Sequence, residues 1–75
     1  MPLTIKLLHN ILSDLNYVIV LQKGSHIKYR KNNDTILSPN HKELKPGTSS
    51  SILKDICVQN NISYSDLIKK YKVKI

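Results

Sequence analysis

The sequence has few of the residues that form disulfides, zinc sites or phosphate-binding loops. It contains one cysteine, two glycines and neither tryptophan nor phenylalanine. A lone cysteine, Cys57, excludes an intramolecular disulfide and a cysteine-pair zinc site, which suggests a reducing compartment. Two isolated glycines, Gly24 and Gly47, exclude a glycine-rich phosphate loop. Because alanine is also absent, isoleucine, leucine, valine and tyrosine must build the core.

Acidic residues and long apolar runs are also scarce. Twelve basic residues stand against five acidic ones, which gives a net charge of +7 and a pI near 9.7. This excess predicts an anionic partner: nucleic acid, an acidic protein or a membrane surface. No run approaches the ~20 apolar residues of a membrane span, and Met1-Pro2 does not begin a signal peptide. We therefore expect one soluble, cytoplasmic domain over residues 1–75, with a basic, solvated C-terminal end at 69–75 and no membrane partner.

Three segments in the middle of the chain have the pattern of β-strands. They cover residues 17–21, 26–31 and 35–38. The first is apolar on both faces and rich in β-branched residues, and Pro39 stops the third. Between the first two, Gly24-Ser25 is typical of a two-residue type II′ hairpin turn. The segments predict an antiparallel meander.

Helical periodicity flanks these strands. A helix is expected over residues 4–15, with Thr4 as its N-cap. A second, capped by Thr48 or a neighbouring serine, runs to about Asn60, and Ser63 or Ser65 caps a last short helix. The order α-β-β-β-α predicts an α+β fold in which the two main helices cover one face of a three-stranded antiparallel sheet. The other sheet face stays available for a partner.

The second strand carries the most informative pattern. A period of two places Ile27 and Tyr29 on one face and His26, Lys28 and Arg30 on the other. The first pair predicts a core face, and the second set predicts a cationic ridge that begins with a histidine. Imidazole is suited to proton transfer at neutral pH, and neighbouring cations can bind a phosphodiester. From spacing alone, catalysis by His26 and a plain RNA contact by His26 both stay open.

Other reactive groups have weaker arguments. His9 is expected on a helix surface, and His41 lies in a basic loop, where it either contacts phosphate or orders the loop. Cys57 occupies an apolar helical position, so a small core residue is expected there rather than a nucleophile. The scattered carboxylates and histidines lack metal-ligand spacing, so we expect no metal and no cofactor.

Two blocks of sequence resemble one family, the HicA mRNA interferase toxins. The blocks are Gln22-Lys23-Gly24-Ser25-His26 followed by Tyr29-Arg30, and Pro39 with His41-Lys42-Glu43-Leu44-Lys45-Pro46-Gly47-Thr48. The first is similar to the signature hairpin of that family, and the second to its third-strand exit and the start of its second helix. The resemblance covers about residues 3–68, which it marks as the core of the domain.

The resemblance implies a fold like a double-stranded-RNA-binding domain and a type II toxin that cleaves mRNA. It also implies a HicB-type antitoxin as protein partner. His26 stands at the place of the family's catalytic histidine, and metal-independent cleavage is our hypothesis. Substrate contacts are expected from the turn and the basic residues: Lys23, Gly24, Ser25, Lys28, Arg30, His41, Lys42 and Lys45.

The sequence departs from the family at three places. Leu21 stands where an arginine is frequent, Ile27 where a second histidine is frequent, and Ser49-Ser50 where Leu-Arg often begins the second helix. These changes leave His26 intact but remove candidate RNA or antitoxin contacts. Two alternatives stay open: a non-catalytic RNA-binding module of the same fold, and an interaction protein that docks an acidic partner.

Overall fold

The computed structural model describes residues 3–73. The elements, in chain order, are α1 (Ile5–Asp14), β1 (Val18–Lys23), β2 (His26–Lys31), β3 (Asp34–Pro39), α2 (Pro46–Asn60) and α3 (Tyr64–Tyr71). The predicted α+β class and the α-β-β-β-α order are confirmed, and the short α3 follows α2 at the end. None of the helices in residues 3–73 has the length and apolarity that crossing a bilayer requires.

The sheet is an antiparallel meander in the order β1-β2-β3. Lys23 pairs with His26 at the first hairpin, and Lys31 pairs with Asp34 at the second. Ile19 pairs with Tyr29, but Leu21 pairs with Lys28, so one extra residue, Val20, forms a bulge in β1. Directly opposed residues share a sheet face, so this register decides which β1 side chains lie beside the ridge on β2.

One sheet face and the three helices enclose the core. Ile27 and Tyr29 of β2 and Ile36 of β3 are buried on this face, as the alternation in β2 predicts. The largest fully buried side chains from the helices include Leu8, Ile11, Leu12, Leu53, Ile56 and Leu67. Burying each such side chain contributes about 1.5–3 kcal/mol, so these contacts hold the helix layer on the sheet.

A left-handed residue that is not glycine lies within two residues of the end of each helix described in residues 3–73. Asn16, Asn61 and Lys72 have φ values of 70°, 54° and 53°. After α1, the Tyr17 amide donates to the Leu12 carbonyl at 2.8 Å. This is the Schellman arrangement, which satisfies carbonyls that the helix end leaves free. Asparagine tolerates the left-handed region better than most residues, so a glycine-poor chain can still terminate its helices sharply.

The start of α2 corrects one prediction. The helix begins at Pro46 with Lys45 as N-cap, and neither Thr48 nor a neighbouring serine caps it. Proline suits the first helical position because its φ is already helical and its missing N–H needs no partner. Ser49 is instead buried, and its hydroxyl contacts the Leu44 carbonyl at 3.4 Å.

Other predicted boundaries move as well, and the third strand, predicted over residues 35–38, covers Asp34–Pro39. The first strand begins at Val18 and ends at Lys23, whereas Tyr17 precedes it and is buried. At the C-terminus, α3 extends to Tyr71, so residues 69–71 are helical instead of forming a tail. Leu67 and Val73 are buried, which holds this end against the core. Residues 74–75 of the expected basic end lie outside the described residues.

A polar network joins the end of α2 to the second hairpin. The Tyr17 hydroxyl donates to the Gln59 side chain and accepts from Asn60, whose side-chain oxygen also accepts from Lys31. The Gln59 amide donates to the Thr35 carbonyl at 2.9 Å. The network lies at the opposite end of β2 from His26, so it anchors the sheet without occupying the histidine end.

Candidate functional site

The sheet face that points away from the helices, here called the open face, carries three rows of side chains. The strand register gives these rows as Lys23–His26–Pro39, Leu21–Lys28–Leu37 and Val18–Arg30–Thr35. The middle column, His26, Lys28 and Arg30, is the predicted cationic ridge. His26 and Arg30 are exposed and Lys28 is half-buried, so the predicted division of β2 into a core face and an open face is confirmed.

A tight turn presents the histidine end of the ridge. Gly24 has φ +58°, and Ser25 is not among the positive-φ residues. A type II′ turn needs positive φ only at its first central residue, whereas type I′ needs it at both, so the backbone fits the predicted type II′ turn. Glycine adopts this conformation without the steric cost that a side chain would bring. His26 therefore begins β2 directly after a narrow backbone corner.

The His26 side chain has one neighbour that can orient it. The Ser25 hydroxyl lies 3.4 Å from Nδ1, which is a long hydrogen bond between two exposed groups. Among the hydrogen bonds of residues 3–73, none engages Nε2 of this ring. With Nδ1 directed at Ser25, Nε2 is the nitrogen that can meet a ligand.

The basic loop after β3 returns to the same turn. The Asn40 amide donates to the Ser25 carbonyl at 2.6 Å, which brings the strand exit against the turn. His41 follows directly and is exposed. Farther on, the Lys42 carbonyl accepts from the Ile5 amide at 3.0 Å, so the loop crosses to the start of α1. His41 therefore follows a residue that is bonded to the Gly24–Ser25 turn, whereas the backbone from Lys42 onwards runs to the start of α1.

The predicted basic residues differ in their distance from His26. Lys23 is the direct cross-strand partner of His26, which places their Cβ atoms about 5 Å apart. Lys28 lies two residues along the strand, or about 7 Å, and Arg30 about 13 Å. The Arg30 Nε donates to the Asn32 carbonyl at 2.9 Å, towards the opposite end of the sheet. Lys45 is exposed at the start of α2. The histidine end therefore has two basic neighbours on the sheet, Lys23 and Lys28.

The remaining candidate groups lie away from this face. Cys57 is buried in the core cluster, and burial raises the pKa of its thiol, so the prediction of a core cysteine is confirmed. His9 is exposed on α1, with its ring centroid 6.0 Å from that of Tyr29. Within residues 3–73, no three histidine, cysteine, aspartate or glutamate side chains lie together as a metal-binding group.

The sequence did not predict that the first strand, β1, is exposed. All six β1 residues are exposed, including Ile19 on the core side, at 40%. Val18, Val20 and Leu21 are 61%, 49% and 53% exposed. A continuous β-branched run normally indicates burial on both faces, so the pattern alone does not reveal this exposure.

Comparison with known proteins places the chain in one family. A family model described as the HicA toxin of bacterial toxin–antitoxin systems matches residues 5–57. The match spans more than half of the chain and includes α1, the whole sheet and most of α2. No curated protein and no solved structure matched significantly. The matched range contains every residue of the open face.

Proposed function

The chain belongs to the HicA toxin family of bacterial toxin–antitoxin systems, and on that premise we propose that it is a metal-independent endoribonuclease that cleaves mRNA in the cytoplasm. A HicB-type antitoxin neutralises it. The observation that carries the proposal is the placement of an exposed His26 after the Gly24–Ser25 turn, at the head of a cationic ridge on an uncovered sheet face. Membership of the family supports the assignment as a toxin, and the geometry around His26 supports the proposed cleavage of RNA.

His26 is the proposed acid–base residue. In the reaction, the RNA 2′-oxygen attacks the adjacent phosphorus, and the bond from phosphorus to the 5′-oxygen of the next nucleotide breaks. Nε2 either accepts the 2′-hydroxyl proton or donates a proton to the departing 5′-oxygen. The products are a 2′,3′-cyclic phosphate and a 5′-hydroxyl. The 2′-hydroxyl as internal nucleophile explains a preference for RNA over DNA.

Lys23 and Lys28 are the proposed partners for the reacting phosphate. They are the basic residues nearest His26 on the sheet, so their charges lie where the phosphate oxygens gain negative charge. General acid–base catalysis typically contributes about 10²–10⁴-fold, so the cations must supply part of the acceleration. One histidine does not perform both proton transfers at once, and His41, a lysine or water supplies the second.

Arg30, Lys42 and Lys45 are assigned to the flanking RNA. Arg30 lies about 13 Å from His26 along β2, which is too far to contact the phosphate being cleaved. A single strand that follows the ridge meets Lys28 and then Arg30, so Arg30 binds a neighbouring phosphate. Lys42 and Lys45 extend the positive potential on the loop side of the turn.

The proposal is tested with purified protein, single-stranded mRNA and EDTA, with products separated on a denaturing gel. We expect the parent to cleave and His26→Ala to leave the RNA intact. His9→Ala is the matched control, because it removes an exposed imidazole from α1 and leaves the open face unchanged. Circular dichroism of each variant shows whether the fold is kept.

Three results would overturn the proposal. Intact RNA in the parent lane, from folded protein that retards RNA in a native gel, favours the alternative of a non-catalytic RNA-binding module. Cleavage that His26→Ala retains removes His26 from the reaction. A product that ends in a 3′-hydroxyl would rule out attack by the 2′-oxygen.

A further inference from the structure

The outer edge of β1, here called the β1 edge, is an exposed strand edge that no element of residues 3–73 covers. The sheet order β1-β2-β3 leaves the far side of β1 without a partner strand within residues 3–73. Four consecutive apolar residues, Val18 to Leu21, are 40–61% exposed along it. An exposed apolar edge of this kind is a template for another strand, because its outward N–H and C=O groups have no protein partner.

The opposite edge of the sheet, formed by β3, is protected against the addition of another strand, whereas the β1 edge is not. β3 begins with Asp34 and ends with Pro39, and the Gln59 side chain donates to the Thr35 carbonyl. Charge, proline and a covering hydrogen bond are common ways to block strand addition. The β1 edge has only a terminal charge, Lys23, and the bulge at Val20. The bulge restricts pairing to a strand of matched register and does not cover the apolar side chains.

We infer that the β1 edge is the docking site for an extended strand of the antitoxin, which adds to the sheet as a fourth strand. This inference rests on the proposed antitoxin partner. Strand addition supplies backbone hydrogen bonds, and the side chains of Val18, Val20 and Leu21 supply apolar contact. The added strand would also lie beside Leu21 and Val18, which flank the cationic ridge on the open face.

Charge favours an antitoxin strand over a second copy of the chain. Each chain carries +7, so pairing two copies at this edge opposes two strongly positive molecules. Lys23 of β1 and Lys28 and Arg30 of the neighbouring β2 lie on the open face and lack an acidic partner in their own rows. A strand that is apolar towards β1 and carries acidic residues above the ridge complements both features.

The experiment uses the full chain and the antitoxin encoded beside it, with binding measured by calorimetry. Val20→Lys places a charge at the centre of the β1 edge, and we expect its Kd to rise at least about 30-fold. Val58→Lys is the matched control, because Val58 is 82% exposed on α2, and its Kd should stay within about twofold of the parent's. Amide hydrogen exchange on the parent complex should show new protection along β1.

RNA cleavage by the free variants separates this inference from the proposed function. Val20→Lys should cleave RNA like the parent but resist the antitoxin. If the parent does not cleave RNA, the calorimetry and hydrogen exchange still test the edge. Unchanged antitoxin affinity in Val20→Lys, or unprotected β1 amides in the complex, would overturn the inference. So would a parental dimer that Val20→Lys converts to monomer.

Discussion

The Ser25 hydroxyl lies 3.4 Å from Nδ1 of His26, on a turn whose backbone is itself bonded to the exit of β3. This contact engages one ring nitrogen and leaves Nε2 facing solvent. A histidine that transfers protons works best when one nitrogen is held and the other is free. On the proposed mechanism, we therefore expect Ser25 to act as a positioning residue that orients the His26 ring.

Removing this hydroxyl should lower activity moderately. A neutral hydrogen bond contributes about 0.5–1.5 kcal/mol, so Ser25→Ala should reduce kcat for RNA cleavage by up to about tenfold. Ser25→Thr keeps a hydroxyl and should restore most of the rate. Single-turnover cleavage of one RNA by the three proteins measures both effects. Equal losses in the alanine and threonine variants would show that the turn's shape, not the hydroxyl, matters.

The cationic ridge should set the salt dependence of RNA binding. Each cation that neutralises a phosphate of single-stranded RNA contributes about 0.7 to the slope of log K against log salt. Lys28→Ala and Arg30→Ala should each reduce that slope by about this amount. Lys54→Ala, an exposed lysine on α2, should leave it unchanged. Fluorescence anisotropy over a salt series measures the slopes, and equal slopes in all four proteins would exclude the open face as the RNA surface.

The buried hydroxyl of Tyr29 is a cost to stability that phenylalanine should remove. Tyr29 is 1% exposed, and its hydroxyl has no hydrogen-bond partner among residues 3–73. An unsatisfied buried hydroxyl costs about 1–3 kcal/mol, so Tyr29→Phe should unfold at the same or a higher urea concentration. Tyr29→Ala should lose about 3–5 kcal/mol because it removes a core ring. A clear loss of stability in Tyr29→Phe would mean that the hydroxyl is bonded in solution.

The alternation of apolar and basic residues made the two faces of β2 predictable. The exposure of β1 could not be predicted in this way. Ile27 and Tyr29 alternate with Lys28 and Arg30, and only one assignment of faces keeps Lys28 and Arg30 in water. β1 lacks alternation, so its four apolar residues fit burial as well as exposure. Their exposure depends on how far the helix layer extends across the sheet, and that distance is set by tertiary packing rather than by the strand's own sequence.

Local chemistry explains the other differences. Thr48 and its serine neighbours are good N-caps, but Pro46 upstream already fixes a helical φ, so the helix starts before them.

The arrangement of the candidate site could be predicted only in part from the sequence. The turn and His26 are contiguous in sequence, but the hydrogen bond from the Asn40 amide to the Ser25 carbonyl joins residues separated by two whole strands, β2 and β3. Sequence spacing cannot reveal that bond.

Cys57 should be chemically inert in the folded protein. It is 8% exposed, and burial raises the pKa of its thiol, so the reactive thiolate is disfavoured. A thiol reagent such as dithionitrobenzoate should react with it only after unfolding in guanidinium. Cys57→Ala should keep RNA cleavage at the parental rate. Rapid labelling of the native protein, or loss of cleavage in Cys57→Ala, would contradict its role as a core residue.

The Tyr71–Asp14 hydrogen bond should make stability fall at alkaline pH. The Tyr71 hydroxyl donates to the Asp14 carboxylate at 2.8 Å and joins α3 to the end of α1. Burial raises the pKa of Tyr71, and the bond and negative charge of Asp14 raise it further. A raised folded-state pKa means that the stabilisation is fully present below the unfolded value of about 10 and is lost as pH rises through the folded value.

The measurement compares urea unfolding of the parent and Tyr71→Phe from neutral pH to about pH 11. The parent should be more stable by a constant margin up to about pH 9, and the margin should shrink above about pH 10. Lysine deprotonation affects both proteins equally, so it cancels in the difference. Asp14→Asn keeps an acceptor without the charge and should show a weaker alkaline loss than the parent. A margin between parent and Tyr71→Phe that stays constant to about pH 11 would show that the Tyr71 pKa is not raised by folding.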